Sequence, residues 1–102
     1  MRLVDPTLLR TRALVGGEWI DADSGATFDV VNPANSNVVA KVANLDVIET
    51  RRTIAAASIG QGGWAQRTAK ERGSVLRRWY ELLLENKEDL ARIMTNEMGK
   101  PI

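Results

Sequence analysis

Near residue 46 the hydrophobic pattern of this chain changes period, and no other feature restricts its possible folds as much. Before that point apolar residues come in short alternating runs separated by Gly, Pro, Asn and Asp; after it they recur at three- and four-residue spacing. Period two belongs to strands and period 3.6 to helices, so the sequence predicts an α/β chain with short strands across about residues 13–42 and helices beyond.

The strand half has its own punctuation. In "ALVGGEWI", Gly16 and Gly17 separate Leu14-Val15 from Trp19-Ile20. Paired glycines take the positive φ angles of a two-residue hairpin turn, so a hairpin is expected. "DADSG" turns the chain. "TFDVVNP" then reads as a strand with Phe28 and Val30 on one face, ended by Pro33, and "VVAKVA" follows as another after the turn cluster "ANSN".

Three helices are predicted, over about 46–59, 69–85 and 87–98. Asp46 with Glu49 forms a capping box for the first, and "GQGG" is expected to end it. Thr68 and Glu71 form a second box ahead of "RGSVLRRWYELLLEN". There Val75, Trp79, Leu82 and Leu83 make an apolar stripe expected to be core, with Arg77, Arg78, Glu81 and Glu85 outside it. Asn86 is the expected N-cap of the third helix, Glu88 and Asp89 suit its positive dipole end, and Gly99 closes it.

Composition removes whole classes of function. Apolar residues are 44% and charged residues 26% of the 102, too apolar for disorder and ordinary for a soluble domain. Fourteen Lys and Arg against 13 Asp and Glu leave a net charge of +1, which attracts neither nucleic acid nor an anionic membrane. The aromatics Trp19, Trp64, Trp79 and Tyr80 lie among acidic residues, so core packing is preferred over base stacking. No apolar run reaches the roughly 20 residues of a membrane helix, and Asp5 and Pro6 stand where a signal peptide needs its apolar stretch. The expectation is a cytoplasmic protein. There are no histidines and no cysteines, which removes the commonest general base, the most nucleophilic side chain and most transition-metal ligands together. A Ser-Lys pair stays formally open, but no catalytic residue is assigned.

Two motifs could concern ligands. Gly60, Gly62 and Ala65 in "GQGGWA" match the dinucleotide fingerprint, but that motif must follow a strand and open a helix, and this one follows a helical stretch; no cofactor-binding residue is assigned. Glu97 lies four residues after Ile93 and seven after Leu90, on the apolar face of the third helix. It is either wetted by fraying of the last turn or a ligand to a hard cation.

Taken in order, "ALVGGEWIDADSG", "TFDVVNPAN", "GGWA" and "TAKERGSVLRRWYELLLENKEDLARIMTNEMGKPI" resemble the N-terminal part of the aldehyde dehydrogenase superfamily, most of all its bacterial NAD(P)-dependent succinate-semialdehyde dehydrogenases. The resemblance runs from about residue 8 to the end. It implies that residues 1–102 are a partial N-terminal region, the hairpin, strands and helices forming part of a Rossmann-like cofactor domain, with the catalytic domain outside this chain. In the family a cysteine thiolate attacks the aldehyde, hydride passes to NAD or NADP, and a glutamate activates the water that hydrolyses the thioester. None of those segments falls within the matched residues, so the resemblance implies that this chain alone binds no cofactor and is inactive. It also implies an aldehyde substrate and a homo-oligomer for the family enzyme, while the near-neutral charge and the lack of a spanning apolar run leave no nucleic-acid or membrane partner expected. Some members hold a monovalent cation with backbone oxygens before the "NP" dipeptide and an acid before "GK", which here are Val30, Val31 and Glu97. "MTNEMGKPI" then reads as an internal segment after which the family chain continues. The alternative is a stand-alone α+β interaction module without catalysis.

Overall fold

The computed structural model describes residues 1–102. After a single 3-10 turn, Pro6–Leu8, the elements are β1 (Ala13–Val15), β2 (Glu18–Ile20), β3 (Thr27–Val31), β4 (Val38–Ala43), α1 (Val47–Gln66), α2 (Ala69–Glu85) and α3 (Lys87–Met98).

The strands make two separate antiparallel ribbons. In the first, Ala13 faces Ile20, Leu14 faces Trp19 and Val15 faces Glu18. Gly16 and Gly17 turn between them with φ of 57° and 81°, the two positive angles that match the turn to strand twist. In the second, Phe28 faces Val42 and Val30 faces Ala40, and a bulge interrupts the register between Val30 and Val31. The β3–β4 connection is a network of asparagines. Asn32 N–H donates to Asn37 O at 2.8 Å, Asn32 Oδ1 accepts from Ala34 N–H at 2.9 Å, and Asn35 Oδ1 accepts from Asn37 N–H at 3.0 Å. Ala43 N–H donates to Thr11 O at 2.8 Å, tying the end of β4 to the segment that enters the hairpin.

The box of Asp46 and Glu49 opens α1 as expected. Its end is not as expected: the helix passes through Gly60, Gly62 and Gly63 and stops only at Gln66. A glycine ends a helix when it adopts the left-handed conformation, and none of these three does. Each merely weakens the helix by about 1 kcal/mol relative to Ala. The stop comes from Arg67, whose extended backbone leads into the N-cap of α2. "GQGGWA" is therefore helix interior, and Trp64 lies within α1 rather than in a loop.

Thr68 Oγ1 accepts from Glu71 N–H at 3.1 Å and starts α2, although the Glu71 side chain does not return the bond. Asn86 departs from expectation: its amide donates to Leu82 O at 2.9 Å, so it finishes α2 and leaves α3 without a side-chain cap. Gly99 closes α3 with φ of 80° and its N–H on Thr95 O at 2.9 Å.

Packing is open. The Cα radius of gyration is 16.5 Å over extents of 47 × 36 × 20 Å, against about 13 Å for a compact chain of 100 residues. The accessible surface, 7875 Å², exceeds the about 5,700 Å² expected for 11.2 kDa. Ala22 is the one buried apolar residue. The stripe expected to be core is not core here: Trp79 is 61% exposed, and Val75, Leu82 and Leu83 are exposed with it. The hairpin packs on α1 and β3 packs on α3, so no strand covers this face of α2. A helix buries its stripe only where another element comes to it.

Candidate functional site

The resemblance points to the place where the end of β3 meets the end of α3. Two contacts join them. Asn32 Nδ2 donates to Asn96 Oδ1 at 3.3 Å, while Asn96 Nδ2 donates to Arg92 O at 2.8 Å, which holds the Asn96 amide in one orientation. At the helix terminus, a Cβ added at Gly99 would stand 3.0 Å from Pro33 Cγ. Glycine thus lets the last turn of α3 approach the proline that follows β3.

Val30 is half-buried and Val31 is exposed, on either side of the register shift. Both remain paired, Val30 with Ala40 and Val31 with Val38, and the residue left outside the ladder is Val39 of β4. Glu97 follows Asn96 directly but is exposed, and it forms no ion pair or hydrogen bond within the chain. The structure therefore brings the two elements together without drawing the Glu97 carboxylate into a protein contact. No group of three or more acidic, His or Cys side chains is arranged to hold a metal. One carboxylate and backbone carbonyls suit a weakly bound monovalent ion better than a transition metal.

Two carboxylates that local reading treated only as helix-start residues prove to be the buried polar groups of the chain, each 4% exposed. Glu49 Oε2 accepts from Asp46 N–H and from Asp23 N–H, both at 3.3 Å, joining the start of α1 to the turn after β2. Asp89 accepts from Val4 N–H at 2.9 Å and Asp5 N–H at 2.8 Å. Those amides hold the Asp89 carboxyl below the usual carboxylate range, with Arg92 adding to the effect against the desolvation that opposes it. The sequence signal was an acid in each first helical turn; nothing in the spacing named the distant amides.

The remaining polar surface is ordinary. Arg10 stacks over Trp19 at 4.5 Å and Arg77 over Tyr80 at 5.1 Å. Arg77 and Arg78 pair with Glu81 and Glu85 on the outer face of α2, as expected. The hydrogen bond and charge of Asp23 raise the Arg52 guanidinium above its ordinary range. No helix is long and apolar enough to cross a membrane.

The aldehyde dehydrogenase family model matches residues 19–102. The chain belongs to the aldehyde dehydrogenase family. Over all 102 residues it is 50% identical to the glutarate-semialdehyde dehydrogenase of Pseudomonas putida and 46% identical to the NADP(+) succinate-semialdehyde dehydrogenase of Escherichia coli. It spans 21% of the length of each. Among solved structures, an E. coli NADP-dependent enzyme superposes with a TM-score of 0.94 at 46% identity, over 98% of this chain and 21% of that one. The short strands and three helices are thus an α/β portion of the aldehyde dehydrogenase fold, as the resemblance implied.

Proposed function

We propose that this chain is the N-terminal part of an NAD(P)-dependent dehydrogenase that oxidises succinate semialdehyde to the dicarboxylic acid. The observation that carries the reading is the uninterrupted match of all 102 residues to semialdehyde dehydrogenases. With no Cys and no His in the sequence, the chain has neither the family's thiolate nor a histidine base, so its part in the reaction is architectural. The exposed stripe of α2 and the open faces of both ribbons favour packing against the cofactor and catalytic elements of the enzyme. They speak equally against a stand-alone module. On this reading the enzyme is a cytoplasmic homo-oligomer, NAD or NADP serves as hydride acceptor outside this chain, and the backbone oxygens of Val30 and Val31 with the Glu97 carboxylate hold a monovalent cation that braces β3 against α3.

The test is an aldehyde-dependent NAD(P)H absorbance assay with succinate and glutarate semialdehydes and with each nucleotide. The 102-residue chain alone is expected to give no signal. A chimera in which it replaces the matching segment of the E. coli enzyme is expected to turn over succinate semialdehyde. A folded but inactive chimera would refute the architectural role; turnover by the purified chain alone would demand chemistry without cysteine or histidine and overturn the reading.

A further inference from the structure

Residues 1–5 precede every regular element and bury little: Val4 is 87% exposed and Met1 is exposed as well. Burial does not hold this segment against α3. Polar contacts do, and they converge on one side chain. Asp89 spends Oδ1 on Val4 N–H at 2.9 Å and Oδ2 on Asp5 N–H at 2.8 Å, so both oxygens of a nearly buried carboxylate grip two consecutive amides. One turn along α3, Arg92 donates to Arg2 O at 3.4 Å, and its guanidinium stands 3.7 Å from Asp89 Oδ1. Between segment and helix lies an open cavity of about 600 Å³ lined by Met1, Arg2, Leu3, Val4, Arg92 and Asn96.

We propose that residues 1–5 are a strap latched to α3 by Asp89, and that neutralising this carboxylate frees the strap and takes apart the cavity its residues line, exposing the Arg92 and Asn96 side of α3 while the helix stays folded. The lock is specific to a carboxylate. Neutral Asn has one acceptor oxygen and one NH₂ donor, so one of the two strap amides would face another donor; a protonated acid loses an acceptor in the same way. Arg92 is the one charged side chain within ion-pair reach of Asp89. The strap's own carboxylate, Asp5, is engaged elsewhere, accepting from Thr7 N–H at 3.0 Å and from the Thr7 hydroxyl at 2.6 Å. Acid release therefore reads the protonation of Asp89, with Arg92 opposing it.

Hydrogen exchange on the chimera in which this segment replaces the matching part of the E. coli enzyme tests the latch. Asp89→Asn is expected to speed exchange of the Val4 and Asp5 amides by about tenfold or more, the scale of losing a hydrogen bond to a charged group, with the amides of Leu90 to Asn96 unchanged. Arg92→Gln is expected to change the strap amides by less than about threefold, because its contacts are long. Equal strap exchange in wild type and Asp89→Asn would overturn the proposal, as would equal loss of protection along α3. Should Asp89→Asn fail to fold, deletion of residues 1–7 supplies the reciprocal reading by carboxyl NMR titration. Without its two donors the Asp89 carboxyl must titrate closer to the usual range than in the intact chain, and an unchanged titration would overturn the latch.

Discussion

Gly99→Ala should be one of the most damaging single-methyl additions to this chain, for two separable reasons. Gly99 has φ of 80°, a left-handed conformation that costs an L-residue about 1–2 kcal/mol. The added Cβ would also stand 3.0 Å from Pro33 Cγ, well inside the roughly 3.5–4.0 Å preferred by carbon pairs. Relief requires the proline ring or the β3–β4 connection to move, which adds about 1 kcal/mol on the scale of overpacking. Together the two effects come to about 2–3 kcal/mol. With a urea m-value of about 1–3 kcal/mol per molar, that is a fall of about 0.7–3 M in the unfolding midpoint followed by helical circular dichroism. Two controls divide the loss. Gly99→Asn keeps the clash but tolerates the left-handed backbone, so it should cost clearly less than Ala. Pro33→Ala removes Cγ, so in its background Gly99→Ala should lose only the backbone share, a coupling of about 1 kcal/mol. A Gly99→Ala cost under about 0.5 kcal/mol would refute the whole argument, and strict additivity with Pro33→Ala would refute its steric half.

Gly17→Ala in the hairpin should destabilise by about 1 kcal/mol through its φ of 81° alone, since a Cβ there meets nothing within 4 Å; Gly17→Asn should recover most of the loss in the same urea experiment. Glu49→Ala leaves the Asp46 and Asp23 amides without their acceptor and should cost about 1–3 kcal/mol in the same assay. If Glu97 ligates a monovalent cation, potassium should raise the melting temperature of the family enzyme carrying this segment, and Glu97→Gln should abolish the increment; an increment that survives would discard the site. The pH dependence has a definite sign. The folded Asp89 carboxyl lies below its unfolded value, so its contribution is complete above the ordinary aspartate range near pH 4 and is lost as pH falls through the lower folded value. Strap exchange corrected for intrinsic rates should follow that loss in wild type and be flat with pH in Asp89→Asn.

What was legible in the sequence follows the range of the forces involved. Gly16-Gly17, the box of Asp46 and Glu49, the Thr68 cap and the Gly99 stop are local chemistry, and each is found where the sequence placed it. The end of α1 departs from the expectation because Gly60, Gly62 and Gly63 lower helix propensity without breaking the helix, so Arg67 and Thr68 decide where it stops. Asn86 serves α2 and not α3 because the residue between two abutting helices has a single side-chain amide, and here it donates to Leu82 O. The stripe of Val75, Trp79, Leu82 and Leu83 has the correct period, but periodicity does not name the surface that covers it. The candidate cation residues came from family resemblance. What brings their elements together is an asparagine pair 64 positions apart, which no local pattern announces.

Chain synthesis gives the Asp89 contact a different significance. Val4 is made well before its partner, which lies 85 positions later. At about 5–20 residues per second, the Val4 and Asp5 amides wait about 4–17 s for the carboxylate to be made. Through that interval the hairpin, which closes in microseconds, and the first ribbon contacts form while residues 1–5 are still loose. Residues 1–5, made before every regular element of this region, are thus among its last parts to be fastened.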